Sequence, residues 1–146
     1  MQIRQAQSAD LAELLELYAQ LHDGASAEIT DSAQDKWREI LALAGYRVLV
    51  GTVDERIVSS CTVIVVPNMT HNQRPYAIVE NVITHRDFRN NGYATQLLNA
   101  ARDIAVSEHC YKISLMTGSK EESTLRFYRN AGYNQNGKTA FVQWLE

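Results

Sequence analysis

The chain has 146 residues, 45% of them apolar and 21% charged, with 14 basic against 17 acidic side chains and a formal net charge of −3. A chain of this length specifies one domain, 1–146, whose core needs neither disulfide nor metal staple. The acidic balance argues against a nucleic-acid binder, and no apolar run nears the ~20 residues of a bilayer span, so neither nucleic acid nor a membrane is expected as a partner.

The segment Met1-Gln2-Ile3-Arg4-Gln5 lacks the basic-then-apolar order of a secretory signal, so the chain reads as soluble and cytoplasmic. Cys61 and Cys110 make no disulfide framework, and Cys61, in a strand-like run, reads as a buried reduced thiol. The charges are unevenly spread. Residues 1–40 carry eight acids against three bases, and residues 84–138 carry eight bases against five acids, hence −5 and +3.

Ile3 to Ala6 predicts a short first strand. Ser8 then reads as a helix N-cap with Asp10 favourable in the first turn, and Leu11, Leu14, Leu15 and Tyr18 supply one apolar face. The polar stretch from His22 to Glu28 breaks this helix. Thr30 or Asp31 caps a second, with Trp37, Ile40 and Leu41 inward and Gly45 as its stop. Tyr46–Val53 and Ile57–Val66 are β-branched-rich runs that predict an antiparallel hairpin around Asp54-Glu55-Arg56. Pro67–Pro75 reads as a loop and Tyr76–Thr84 as the next strand. Asn91-Gly92 opens a third helix with Ala94, Leu97, Leu98, Ala101 and Ala105 on one face. Lys112–Thr117 predicts a strand, Glu121–Ala131 a helix stopped by Gly132, and Ala140–Leu145 a last strand. The order is that of a three-layer α/β domain in which a crossover sets strands 76–84 and 112–117 parallel.

The chemistry-bearing stretch is Val82-Ile83-Thr84-His85-Arg86-Asp87-Phe88-Arg89-Asn90-Asn91-Gly92-Tyr93-Ala94-Thr95. A strand runs through a polar loop into a helix start, where unpartnered amides and the macrodipole favour an anion. Gly92 lets the backbone approach a phosphate, Ala94 keeps that wall small, and Arg89 adds a fork of donors. Neither a P-loop nor a dinucleotide fingerprint is present. In Thr124-Leu125-Arg126-Phe127-Tyr128-Arg129-Asn130-Ala131-Gly132-Tyr133, Leu125, Tyr128 and Ala131 share a helical face.

Taken together, the two segments resemble a family. Arg89-Asn90-Asn91-Gly92-Tyr93-Ala94 is similar to the acyl-CoA signature of the GNAT superfamily of N-acetyltransferases, and Phe127-Tyr128-Arg129-Asn130-Ala131-Gly132-Tyr133 to its later F-Y element. Glu80-Asn81-Val82-Ile83 and Cys110-Tyr111-Lys112-Ile113 resemble the glucosamine-6-phosphate N-acetyltransferases within it. The resemblance implies a three-layer α/β/α fold with a mixed, mostly antiparallel sheet splayed between strands 76–84 and 112–117. It implies that acetyl-CoA enters this gap, its pantetheine along Val82, Ile83 and Thr84 and its pyrophosphate on the amides of Asn90, Asn91, Gly92, Tyr93, Ala94 and Thr95. An amide near Val82 then serves as oxyanion donor, Phe127 belongs to the cofactor side, and Tyr128 protonates the departing thiolate.

Glu80, on the same strand, is the candidate base for the amine. Strand alternation groups it with Ile78 and Val82 unless a bulge, common in the family, changes the phase. His85 lies past the strand end and reads as a solvated side chain. Two positions depart from the family pattern: Glu121 replaces an Asn and Thr124 an Ala, with Ser123 left to supply the missing cofactor contact. Thr117-Gly118-Ser119 is also more polar than the sugar-phosphate subgroup implies. The histidines at 22, 71, 85 and 109 show no ligand spacing, so no metal is expected.

The reading is an N-acetyltransferase acting on a small-molecule primary amine, with an edge available for a homodimer at the last strand. Its rivals are protein lysine or N-terminal acetylation, a non-catalytic acyl-CoA sensor, and a nucleotide-phosphate binder.

Overall fold

In the computed structural model, which describes residues 1–21 and 28–145, the β-branched runs fold as the predicted hairpin. Strand β2 (Tyr46–Val53) turns into β3 (Arg56–Val66) through Asp54 and Glu55, both with left-handed φ (48° and 66°). This is the backbone twist that a two-residue hairpin loop demands. With β1 (Gln2–Gln5), β4 (Tyr76–Thr84) and β5 (Ile113–Leu115) they make one sheet in the order β1-β2-β3-β4-β5. All neighbours are antiparallel except β4 and β5, which are parallel as predicted.

Four helices cover the two faces: α1 (Leu11–Tyr18), α2 (Asp31–Ala42), α3 (Tyr93–Ser107) and α4 (Glu122–Asn130). On one face Leu14, Leu17 and Trp37 from α1 and α2 pack on Val48, Val50, Ile57 and Ile83. On the other, Leu97, Leu98, Ala101 and Ala105 of α3 meet Leu49, Cys61, Val63, Ala77 and Val79, with Phe127 and Tyr128 of α4 packed against this cluster. Burial pushes the Cys61 thiol up to about 12, as for an inert core thiol.

Four expectations are corrected. Ser8 is no N-cap: Ser8–Asp10 is a 3₁₀ turn, and the Asp10 carboxylate instead accepts from the Gln7 amide (2.7 Å) and from both Arg4 guanidinium nitrogens (2.6 and 2.9 Å). In α1 Leu17 is buried where Leu15 was expected. The 67–75 loop holds one short helical turn, Thr70–Gln73, in which His71, Asn72 and Gln73 take left-handed φ. The predicted strand 140–145 is not formed: these residues pair with no strand, and Phe141, Val142, Trp144 and Leu145 are exposed.

Thr30 is the cap of α2, accepting from the Ala33 amide at 3.1 Å. Gly45 has φ 82°, and a Cβ there would meet the Val65 carbonyl oxygen at 2.7 Å, so only glycine fits this close crossing. The predicted break at 22–28 lies, apart from Glu28, outside the described residues. Among the described residues no helix is long and apolar enough to cross a membrane.

Candidate active site

The parallel ladder between β4 and β5 covers only Ala77↔Ile113, Ile78↔Ser114 and Val79↔Leu115. Beyond it β4 continues to Thr84 while the chain after Leu115 leaves the sheet, so the two segments separate into a gap. The other side of β4 stays paired with β3, but the register slips: Thr62 faces Glu80 and Ser60 faces Ile83. The one extra residue on β4 makes a bulge at Asn81, whose φ is +52°.

The bulge inverts the side-chain phase. Ala77 and Val79 face the α3 side before it and Val82 packs there after it, while Ile83 turns to the α1 side. Simple alternation, which would group Glu80 with Val82, fails here for that reason. Glu80 is half-buried directly opposite Thr62, and residues opposite one another in an antiparallel pair share a face. Ser60, two residues from Thr62, shares it as well, and the Tyr18 hydroxyl of α1 lies 3.4 Å from the Ser60 hydroxyl. Burial raises the Tyr18 pKa against the opposing effect of its Ser60 and Thr62 hydrogen bonds. Tyr18, Ser60 and Thr62 thus form a polar patch beside Glu80 that the sequence reading missed, having placed Tyr18 among core apolar residues. The available signal was Ser59-Ser60-Cys61-Thr62 inside a β-branched strand: polar side chains that are nearly fully buried need a reason.

Tyr128 projects from α4, half-buried, with its ring 4.9 Å from Phe127 and 6.4 Å from Tyr133. Burial raises its pKa above the usual phenol value, and the negative charge of Glu80 raises it further. Strand and helix therefore bring the two candidate catalytic side chains within electrostatic reach of one another. Phe127 packs on the α3-side core, and Ser123 is exposed in the first turn of α4. The Tyr133 hydroxyl is buried, and burial pushes it up to about 12.

At the far end of β4, residues 86–92 make the predicted polar loop. Asn90 and Gly92 take left-handed φ (64° and 75°), and Gly92 is the N-cap of the fifteen-residue α3. No side chain caps that helix, and a Cβ on Gly92 would meet nothing within 4 Å. The first-turn amides of Tyr93, Ala94 and Thr95 thus begin α3 beside open space, which suits a phosphate. The Asn91 side chain braces the loop by donating to the Phe88 and Arg89 carbonyls at 3.1 and 3.2 Å.

Arg89 is tied back to the strand end, its Nε donating to the Thr84 carbonyl at 3.2 Å. Ser59 donates to the Ile83 carbonyl and lies 2.8 Å from the Thr84 hydroxyl, so Ile83 and Thr84 are anchored to β3. His85 is not solvated as expected: its side chain is only 13% exposed, accepts from the Asp87 amide at 3.3 Å and lies 3.2 Å from the Arg56 guanidinium. It is a loop brace, not a group of the gap.

Two cavities, of about 490 and 610 Å³, lie elsewhere, one against β1, β2 and α3 and the other beside Gly45, Val65 and Pro67. Neither is lined by Glu80 or Tyr128.

A parallel strand pair that splays beside a bulge, followed by an uncapped helix start with left-handed Gly92, is the architecture of an acyl-CoA-using transferase. The Acetyltransferase (GNAT) family model matches residues 11–133, and the chain belongs to this family, the acetyl-CoA-dependent acetyltransferases. A putative acetyltransferase from Agrobacterium tumefaciens str. C58 superposes with a TM-score of 0.92 at 33% identity, over 99% of this chain and 100% of that one. The glucosamine 6-phosphate N-acetyltransferase of Trypanosoma brucei brucei is 26% identical over 141 residues, 91% of this chain and 88% of the relative. The fold is shared with the glucosamine-6-phosphate N-acetyltransferase of Arabidopsis thaliana (TM-score 0.85, 20% identity, 99% of this chain and 98% of that one).

Proposed function

We propose that the chain, read as one domain over 1–146, transfers the acetyl group of acetyl-CoA to a primary amine of a small molecule by direct attack. The observation that carries this is the gap beyond Val79 and Leu115, with Glu80 of β4 and Tyr128 of α4 at its inner end and the uncapped start of α3 at its outer end. The open space at Gly92 fits the phosphates of CoA, which the amides of residues 90–95 would hold. Val82 to Thr84 would border the pantetheine, with Arg89 tethered alongside, and Ser123 and Phe127 belong to the α4 side of the same gap.

The amine nitrogen attacks the thioester carbonyl, a backbone amide near Val82 stabilises the oxyanion, and the carbon–sulfur bond breaks. Glu80, directly or through a water, takes the proton from nitrogen. Tyr128 gives its proton to the departing sulfur, so charge and protons balance over the cycle. Holding both reactants in one gap makes a covalent enzyme intermediate unnecessary. The sugar amine named for the Trypanosoma relative supports a small amino sugar as acceptor class, and the Tyr18–Ser60–Thr62 patch offers hydroxyl partners to such a ligand.

Free thiol release from acetyl-CoA is the test, with a panel of amino sugars, amino sugar phosphates, polyamines, amino acids and peptides. Release dependent on a small amine supports the reading. Release only with peptides transfers the chain to protein acetylation, and CoA binding without release on any amine makes it a sensor.

A further inference from the structure

We propose that Tyr133 is a positioning residue for Tyr128: its hydroxyl donates a hydrogen bond to the Tyr128 oxygen once that oxygen has given its proton to sulfur. The inference rests on the general-acid role proposed for Tyr128 and adds the group that steadies the charge left behind.

A buried hydroxyl without a partner carries it. The Tyr133 oxygen is sealed from water and, among the described residues, finds no hydrogen-bond partner. Such a group is unfavourable in the resting protein, and a phenylalanine of the same shape would avoid the loss of hydration. The hydroxyl acquires a reason if a second state of the site supplies the acceptor.

Tyr128 is the neighbour whose state changes. The Tyr133 amide donates to the Tyr128 carbonyl at 3.0 Å, and the two rings meet edge to face with centroids 6.4 Å apart. Both pack against the α3-side cluster that holds Cys61, Val79 and Leu97. The other groups near Tyr133 are engaged elsewhere. The Cys61 thiol points to the Leu97 carbonyl at 3.9 Å, and Arg102 gives its Nε and one Nη to Asp103. Burial pushes Tyr133 up to about 12, and negative charge on Cys61 or Tyr128 adds to the rise. A phenolate at Tyr128 therefore leaves Tyr133 holding its own proton, ready to donate.

In the proposed step the Tyr128 O–H bond breaks and an S–H bond forms on the departing thiolate, leaving a phenolate. The Tyr133 O–H bond stays intact and turns to that oxygen, across a small side-chain shift or one intervening water. The phenolate then regains a proton from the carboxylic acid formed at Glu80, directly or through water. Bonds to a charged acceptor are about twice as strong as neutral ones. This one exists only while the charge does, so it favours the transition state over the ground state.

Tyr133→Phe removes the hydroxyl alone and tests the assignment. Urea unfolding of the free variant is expected to show stability equal to or above wild type. With the small-amine acceptor, kcat should fall about ten- to a hundredfold at nearly constant KM, the effect of one hydrogen bond to a charged group. In a Tyr128→Phe background the same change should alter kcat by less than about twofold, since the acceptor is gone. Ring-carbon NMR of labelled tyrosines reads Tyr128 without any turnover. Its titration should move to a pH about 1 higher in Tyr133→Phe, the tenfold loss of phenolate stabilisation seen from the other side. A Tyr128 titration that stays put overturns the proposal, as does an unchanged kcat. A variant less stable than wild type overturns it too, because the hydroxyl then has a partner in the resting protein. Losses that multiply in the double variant place Tyr133 on some other group. If Tyr128→Phe is itself without effect, the general-acid reading falls and this inference with it; if Tyr128→Phe impairs turnover and Tyr133→Phe does not, only the role of Tyr133 falls.

Discussion

A phenol acts as general acid only while protonated, which makes the surroundings of Tyr128 decisive. Burial, and secondly the charge of Glu80, raise its pKa above the usual phenol value. The hydroxyl is thus held in the proton-bearing form through neutral and mildly alkaline pH. Under the proposed mechanism Tyr128→Phe lowers kcat by about 10²–10⁴-fold, the span of general-acid contributions, while calorimetric CoA affinity stays within a few-fold. Undiminished turnover at saturating substrate rules out the role. The same environment sets a pH signature. The alkaline limb of kcat, corrected for spontaneous thioester hydrolysis, should lie above the ordinary phenol value of about 10. In Glu80→Gln the charge that raises Tyr128 is gone, so whatever turnover remains should lose activity at a lower pH than wild type. A limb that stays put or rises detaches Glu80 from Tyr128. The F-Y motif made Tyr128 legible in the sequence, but the company of Glu80 was not. Its neighbours Tyr18 and Thr62 come from a distant helix and strand, and the bulge at Asn81 changes which side chains accompany it.

Element ends show where local sequence chemistry decides and where it does not. The Thr30 cap and the Gly92 start of α3 were readable because each rests on one residue's own conformational or hydrogen-bonding preference. The start of α1 was misread because its satisfier, Asp10, sits inside the turn and gains its hold partly from Arg4 in β1, a tertiary contact. Asp10→Ala should destabilise the fold by about 1 kcal/mol, as for loss of a helix-start acceptor, with little added by the partly exposed Arg4 pair. The Arg4 hydrogen bond is the main cause that holds the Asp10 pKa below 3.8. Its stabilisation is therefore fully present above the unfolded value and lost as pH falls through the lower folded one. Urea midpoints of wild type and variant should converge below pH 3.8 and stay separated at pH 7; equal midpoints at pH 7 contradict the assignment. Gly92→Ala forces a Cβ into left-handed backbone, costing about 1–2 kcal/mol, and pushes a methyl into the space proposed for phosphate. CoA affinity measured by calorimetry should fall in this variant. The strand read at 140–145 is not formed, since a strand needs a partner edge and pairing is not a property of the segment alone.

Over the whole molecule, the net charge of −3 hides two opposed halves, and the ion pairs redistribute them further. Among residues 1–40 all three bases are consumed, Arg4 by Asp10, Lys36 by Glu39 and Arg38 by Asp35. Glu13 accepts from the Ile57 amide at 2.8 Å. Glu16, Glu28 and Asp31 keep the acidic excess of the described part of that half, on or beside the helices of the Tyr18 side of the sheet. Glu80 adds a carboxylate to the same face, opposite Thr62. The basic excess of residues 84–138 includes Arg86 and Arg89 in the loop before α3, the end proposed for the phosphates. Under the proposed function such a dipole draws a tetra-anionic cofactor to one end and a cationic amine to the other, and charge steering of this kind is screened by salt. With acetyl-CoA saturating, kcat/KM for a cationic amino sugar should exceed that for its phosphate ester, and should fall several-fold between low and physiological ionic strength. The phosphate ester, repelled at the same face, should lose its disadvantage as salt rises. The opposite ranking, with the ester preferred at every ionic strength, would mean that local cationic contacts outweigh the acidic face and that the resemblance to sugar-phosphate acetyltransferases extends to the acceptor.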